Sequence, residues 1–208
     1  MTLPIAFVSR ADKDSEAQWI NILSEALPNE RIVSYGEMTN EERSSCEFAI
    51  VANPDPKNIA ALPNLNWMHS LWAGVEKLVA ELGETAPPIV RLVDPELSRV
   101  MAEAVLAWTY YLQRDMPAYR MQQAERLWKE RDYRHPNDMT IGVLGLGELG
   151  SEATRYLKRA GFNVIGWSRS QKFIDGVTCV AGDEGFDTLL SQSDIIACVV
   201  PLTPQTRG

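Results

Sequence analysis

Six residues, Gly145-Leu146-Gly147-Glu148-Leu149-Gly150, are spaced as a pyrophosphate cradle would be. A glycine at the first position permits a tight turn. One at the third lets the backbone approach an anion, and one at the sixth lets a helix pack closely on a strand. Free N–H groups at the helix start, together with the helix dipole, then favour negative charge. The pattern alone is a weak signal in a chain with 13 glycines. Its context strengthens it, because an apolar strand is expected over Thr140–Leu144 and a helix over Glu148–Arg159. The bland alternative is a glycine-rich turn with no ligand.

Three further stretches bear on the same chemistry. The next expected strand, Asn163–Trp167, runs into Ser168-Arg169-Ser170-Gln171-Lys172. A site for NAD carries Asp or Glu here to bond the ribose 2′-hydroxyl, whereas a site for NADP carries a basic residue for the 2′-phosphate. No acid stands at this position. Ser168 offers a hydrogen bond, Arg169 can grip a phosphate with two parallel bonds, and Lys172 adds charge. The pattern therefore points to NADP(H), with NAD(H) as the alternative cofactor and a plain surface arginine as the bland reading. Pro201-Leu202-Thr203-Pro204-Gln205-Thr206 leaves an apolar strand expected over Ile195–Val200. It falls at the carboxyl edge of a sheet, where open α/β sheets bind ligands, although an ordinary strand exit would look similar. Ser70-Leu71-Trp72-Ala73-Gly74-Val75-Glu76 precedes a helix expected over Gly74–Leu82. The N–H groups of Ala73, Gly74 and Val75 would then face outward, fit for a carboxylate. On these residues alone a plain strand–helix turn is favoured.

Metal and thiol chemistry find little support. Cys46, Cys179 and Cys198 are too few and too widely spaced for a disulfide framework or a zinc cluster. They read as reduced thiols of a cytoplasmic protein. His69 and His135 are the only histidines. The first reads as a structural histidine and the second as an exposed loop residue.

The elements that must position these residues alternate along the chain. Leu3–Ser9, Arg31–Tyr35, Glu47–Ala52, Leu65–Ser70 and Ile89–Val93 read as strands, and Asp14–Ala26 as a helix. Asn53-Pro54-Asp55-Pro56 reads as a loop. Asp94 and Pro95 open a long helix. Its apolar face is expected to comprise Leu97, Val100, Met101, Ala104, Val105, Trp108, Tyr111 and Leu112. Pro117 should end or kink this helix. Tyr119–Pro136 is polar, with acids interleaved among its arginines, and reads as a solvated face and loop. A second alternation then adds a strand near Val177–Val180 and a short helix near Phe186–Ser191. Strands alternating with helices imply parallel pairing and an α/β fold.

Composition excludes several function classes. Twenty basic residues against 28 acidic give a net charge of −8, which argues against holding nucleic acid. The chain is 45% hydrophobic and 23% charged, ordinary for a globular protein. No apolar run approaches the roughly 18 residues of a membrane helix. The start, Met1-Thr2-Leu3-Pro4-Ile5, has no signal-peptide character.

Taken in order, these stretches resemble the D-isomer-specific 2-hydroxyacid dehydrogenases. Leu71-Trp72-Ala73-Gly74-Val75 and Gly166-Trp167-Ser168-Arg169-Ser170 are similar to that family's glyoxylate/hydroxypyruvate reductase A branch, which uses NADPH. The resemblance implies a flavodoxin-like substrate domain over residues 1–94 and an incomplete Rossmann-type NAD(P)-binding domain over 95–208. It implies reduction of small 2-oxo acids to 2-hydroxy acids, and a homodimer formed through the long helix around Trp108. Trp72, Ala73 and Gly74 would help hold the substrate carboxylate. Leu146, Gly147, Glu148 and Leu149 would lie along the pyrophosphate, with Gly145 and Gly150 shaping the turn. Ser168 and Arg169 would take the 2′-phosphate, and Pro201, Leu202 and Thr206 the ribose–nicotinamide end. The family's catalytic Arg, Glu and His fall later than the Pro201 stretch, so none is expected here, and the 208 residues are expected to be inactive alone. The alternatives are another dehydrogenase of the family, such as one acting on phosphoglycerate, and a non-catalytic dinucleotide-binding module.

Overall fold

The computed structural model describes residues 3–207. Met1 and Thr2 of the N-terminal stretch, and Gly208, lie outside the described residues. The chain divides into two compact units. One takes in the chain up to Val93 together with Leu202–Arg207, and the other covers Asp94–Pro201.

In the first unit, β1 (Pro4–Ser9), α1 (Lys13–Ala26), β2 (Arg31–Ser34), α2 (Asn40–Ser45), β3 (Phe48–Ala52), α3 (Pro56–Ala60), β4 (Trp67–Ser70), α4 (Glu76–Leu82) and β5 (Ile89–Arg91) follow in order. All pairings are parallel and the sheet order is β2-β1-β3-β4-β5. Side chains alternate across a strand, so each strand feeds both faces. Ala6 and Val8 pack with Ala49, Val51, Ile59, Met68 and Leu78 on one face. Phe7 passes to the other, with Ile32, Ile50 and Ala52 against Trp19, Ile20 and Leu23 of α1. Asp12 starts α1 by accepting the N–H groups of Asp14 and Ser15 at 3.1 and 3.0 Å. Cys46 is fully buried, which pushes its thiol up, and all three cysteines are free.

The second unit runs α5 (Pro95–Gln113), α6 (Met116–Ala124), β6 (Thr140–Leu144), α7 (Glu148–Arg159), β7 (Asn163–Ser168), β8 (Thr178–Ala181), α8 (Gly182–Gln192) and β9 (Ile195–Cys198). Its sheet is parallel, in the order β8-β7-β6-β9. Ile141, Val143, Leu157, Phe162 and Val164 form its core. Asp194 joins the ends of two strands. Its carboxylate accepts the Thr140 N–H at 2.9 Å and a bond from Arg134 at 3.0 Å. The Thr140 bond, aided by Arg134, holds that carboxyl below the usual carboxylate range.

Several elements differ from expectation. The buried line of α5 is Ser98, Ala102, Thr109 and Gln113, while Val100, Trp108 and Leu112 are exposed. Small and polar residues pack closely here, and most of their polar atoms find partners, although the Gln113 side-chain oxygen is buried without one. Ser98 and Thr109 donate to the carbonyls four residues back, and Gln113 donates to the Arg134 carbonyl. As expected, the long helix breaks at Gln113, four residues before Pro117, whose ring would clash with that carbonyl in a continuous helix. The chain turns at Asp115, with φ of 53°, and Pro117 lies in the first turn of α6, where its missing N–H costs nothing. The α4 helix opens at Glu76, not Gly74, and α8 runs over 11 residues, Gly182–Gln192, starting earlier than the short helix expected over Phe186–Ser191. The final strand stops at Cys198, ahead of Pro201. Two short helices, α2 and α3, arise where none was expected. A capping box of Thr39 and Glu42 starts the first, and Asp55 followed by Pro56 starts the second. Leu202–Arg207 groups with the first unit, unlike the second domain expected over 95–208.

Candidate dinucleotide site

The turn between β6 and α7 is built by two glycines. Gly145 has φ of +101°, a conformation that side-chained residues avoid, and its N–H donates to the Trp167 carbonyl at 2.9 Å. Gly150 lies so near that a Cβ on it would meet the Gly145 carbonyl oxygen at 1.8 Å. The helix therefore sits tight against the strand end. No side chain caps the start of α7 at Gly147, and a Cβ built there would meet nothing within 4 Å. Uncapped N–H groups at a helix start fit an anionic group such as a pyrophosphate.

The expected site residues differ in what they offer. Leu146 is 1% exposed and turns its side chain inward, over Gly166, so only its backbone lies along the turn. Glu148 is exposed and Leu149 half-buried. Ser168 closes β7 and donates its hydroxyl to the Ser170 carbonyl at 2.8 Å. Arg169 follows, exposed. Leu202 is exposed, and the Thr206 hydroxyl accepts the Thr203 N–H at 2.8 Å within a compact turn. Lys172, noted in the sequence only for its charge, donates to the Leu146 carbonyl at 2.7 Å. That tie joins positions 26 residues apart, so nothing in local sequence pattern could reveal it.

In the first unit, the Trp72 N–H donates to the Ser70 hydroxyl at 3.1 Å, and that hydroxyl donates back to the Trp72 carbonyl at 3.1 Å. The Trp72 ring is half-exposed. A Cβ on Gly74 would lie 3.2 Å from the Glu76 carboxylate, so that acid leans over the turn. With α4 opening only at Glu76, Ala73 and Gly74 stand before the helix, and its dipole is not directly behind them. His69 is half-buried within β4, in register with Ile50 and Val90. His135 is exposed, edge-on to Tyr133. Among the described residues no group of three or more His, Cys, Asp or Glu could hold a metal, and no helix is long and apolar enough to cross a membrane.

Residues 106–208 match the family model for the D-isomer specific 2-hydroxyacid dehydrogenase NAD-binding domain. The chain is 32% identical over 197 residues to glyoxylate/hydroxypyruvate reductase A of Yersinia enterocolitica, covering 92% of this chain and 62% of that relative. Two crystal structures of a D-isomer specific 2-hydroxyacid dehydrogenase from Xanthobacter autotrophicus are similar along the whole chain. One, in complex with NADPH and MES, is 35% identical with a TM-score of 0.88 and is covered to 66%. The other is 32% identical with a TM-score of 0.70 and is covered to 67%. The NADPH-dependent glyoxylate/hydroxypyruvate reductase from Sinorhizobium meliloti, in complex with NADP and sulfate, is 30% identical with a TM-score of 0.84 over 99% of this chain and 64% of that one. The chain spans 62% of the length of the curated relatives it matches.

Proposed function

The chain belongs to the D-isomer specific 2-hydroxyacid dehydrogenases, and on that premise we propose that it carries the NADPH-binding half of a reductase of small 2-oxo acids, glyoxylate and hydroxypyruvate foremost. One observation carries the reading. The Gly145–Gly150 turn opens α7 with uncapped N–H groups, and the neighbouring strand ends in Ser168-Arg169 with no acid beside them. Bound NADPH would supply a hydride to the 2-oxo carbon. The chain's own residues bind and orient it. N–H groups at Gly147, Glu148 and Leu149 hold the pyrophosphate, with Gly145 and Gly150 giving the turn its shape. Arg169 neutralises the 2′-phosphate and Ser168 braces the turn that presents it. Pro201, Leu202 and Thr206 attend the ribose–nicotinamide end. Trp72, Ala73 and Gly74 receive the substrate carboxylate.

In this reading residues 1–94 form the substrate domain. Its strand order, β2-β1-β3-β4-β5, matches the flavodoxin-like doubly wound order. Residues 95–201 form the Rossmann-type cofactor domain. A second copy of the chain covers the α5 face that Val100, Trp108 and Leu112 leave exposed, making a homodimer. The reduced cysteines are consistent with a cytoplasmic setting.

Calorimetric titration of the 208-residue chain tests the cofactor half of this reading. NADPH should bind at least tenfold more tightly than NADH, roughly the worth of one charge-assisted pair to phosphate. Equal or tighter binding of NADH would sink it. Glyoxylate-dependent oxidation of NADPH, measured on a protein that carries this chain and the remaining length of its relatives, tests the reaction.

A further inference from the structure

The Lys172 side chain reaches from the segment after β7 back to the glycine turn. Its ammonium donates to the Leu146 carbonyl at 2.7 Å. The same carbonyl accepts the Ser151 hydroxyl from the first turn of α7 at 3.2 Å. The Leu146 side chain is buried at 1% exposure. It occupies the space over Gly166, where a Cβ would come within 2.5 Å of the leucine Cδ2. This residue is therefore held at both ends, by packing on its side chain and by two donors on its carbonyl.

A trans peptide is planar, with its C=O and N–H pointing in opposite directions, and no peptide bond among the described residues is cis. Fixing the Leu146 carbonyl toward Lys172 and Ser151 thus fixes the Gly147 N–H in the opposite direction, and no side chain of the turn caps it. The Lys172 end of the tie is fixed too. Gln171 donates to the Cys179 carbonyl of β8 at 2.9 Å, and Ser168 donates to the Ser170 carbonyl at 2.8 Å. Residues 168–172 are thereby bound to their own strand, to the next strand and to the glycine turn.

We infer that Lys172 is a positioning residue, a clip that orients the Leu146–Gly147 peptide so that its N–H faces the cofactor pyrophosphate, and that it is not a ligand of the 2′-phosphate. The inference rests on the dinucleotide-binding reading, and it separates two roles that neighbouring basic residues would otherwise share. Arg169 distinguishes NADPH from NADH. Lys172 prepares the turn that both cofactors use, since both carry the same pyrophosphate.

The test is Lys172→Met, with Lys172→Arg as the conservative variant, in the 208-residue chain. Two readouts are taken: amide hydrogen exchange across Gly145–Ser151 without cofactor, and calorimetric affinity for NADPH and for NADH. In the Met variant exchange should quicken at Gly145 and Ser151, whose N–H groups are bonded to the Trp167 and Gly147 carbonyls across the turn. Both affinities should fall together by about tenfold, the worth of one hydrogen bond to a charged group, and the Arg variant should recover most of both changes. Unchanged exchange overturns the clip whatever the affinities do. Loss confined to NADPH overturns it in favour of a direct phosphate ligand, and unchanged affinity overturns its role in binding. If the unaltered chain binds neither dinucleotide, the cofactor reading fails, while the exchange readout still decides the clip.

Discussion

The Gly150 Cα lies so close to the Gly145 carbonyl that a methyl group there would come within 1.8 Å of its oxygen. The contact is backbone on backbone, so no side chain can swing away to relieve it. Alanine is favoured over glycine inside a helix by about 1 kcal/mol. Relieving this overlap means displacing the strand end or the helix, and overpacking of that kind costs about 3 kcal/mol. The steric effect wins. Gly150→Ala should lower the denaturant midpoint with unchanged slope. Gly147→Ala makes the contrast, because nothing lies within 4 Å of a Cβ there and the backbone, at φ of −77°, is ordinary. Its stability should stay within about 0.5 kcal/mol of the parent. Its methyl would occupy the space offered to the pyrophosphate, so dinucleotide affinity should drop. A stable Gly150→Ala chain, or an unaffected affinity in Gly147→Ala, would contradict the geometry.

Arg169 is exposed, and Ser168 beside it has its hydroxyl committed to the Ser170 carbonyl. On the proposed reading, discrimination of the 2′-phosphate falls mainly to the guanidinium. Arg169→Ala should weaken NADPH by about tenfold to a hundredfold and leave NADH nearly unchanged, since hydrogen bonds to charged groups are worth about 1.5–3 kcal/mol. Competition by 2′,5′-ADP against 5′-ADP isolates the phosphate. If the two competitors lose equally, arginine is acting elsewhere.

Asp194 gives the second unit an acid-sensitive joint. Its carboxylate is held below the usual carboxylate range, first by the Thr140 N–H and then by Arg134. A group whose folded-state pKa is depressed binds its proton less readily when folded. Its contribution is therefore complete above the unfolded-state value of about 4, and is lost as pH falls through the lower folded-state value. Asp194→Asn can still accept the Thr140 N–H but carries no charge. The variant should be less stable at neutral pH by about 1 kcal/mol, since its side chain is one-third exposed. It should also lose stability more gently than the parent between about pH 5 and pH 2. Parallel acid limbs for the two proteins would refute the assignment.

How much of this was legible in the sequence differs from one feature to another. The glycine turn was readable because each glycine answers a local constraint, and the strand before it and helix after it both carry their own signals. The missing acid after β7 was readable for the same reason. The buried face of α5 was not. Hydrophobic periodicity points to Val100, Trp108 and Leu112, whereas the structure buries Ser98, Ala102, Thr109 and Gln113. Periodicity records which residues avoid water, and cannot tell a face covered within one chain from a face awaiting another. Small residues on a helix permit close packing without leaving an apolar signature. The Lys172 tie was invisible because it depends on a carbonyl, which every residue has, brought near by the fold.

That exposed face leads to the last expectation. Trp108 is 66% exposed and Trp128 fully so, with Val100, Leu112 and Leu127 also exposed along the same stretch of chain. Exposed apolar residues scattered singly are common, but two largely exposed tryptophans within 21 residues are unusual for a surface left in water. The stripe on α5 repeats every fourth residue, the spacing at which one helix face meets another surface. Tryptophan is also the residue type most enriched among contacts that dominate binding energy. A second copy of the chain should cover this face, so sedimentation should give a dimer at micromolar concentration. Trp108→Ala combined with Trp128→Ala removes exposed rings and so should leave the fold of the monomer intact while shifting the mass to that of one chain. A monomer before substitution, or a dimer undisturbed by it, would show that this face has another role.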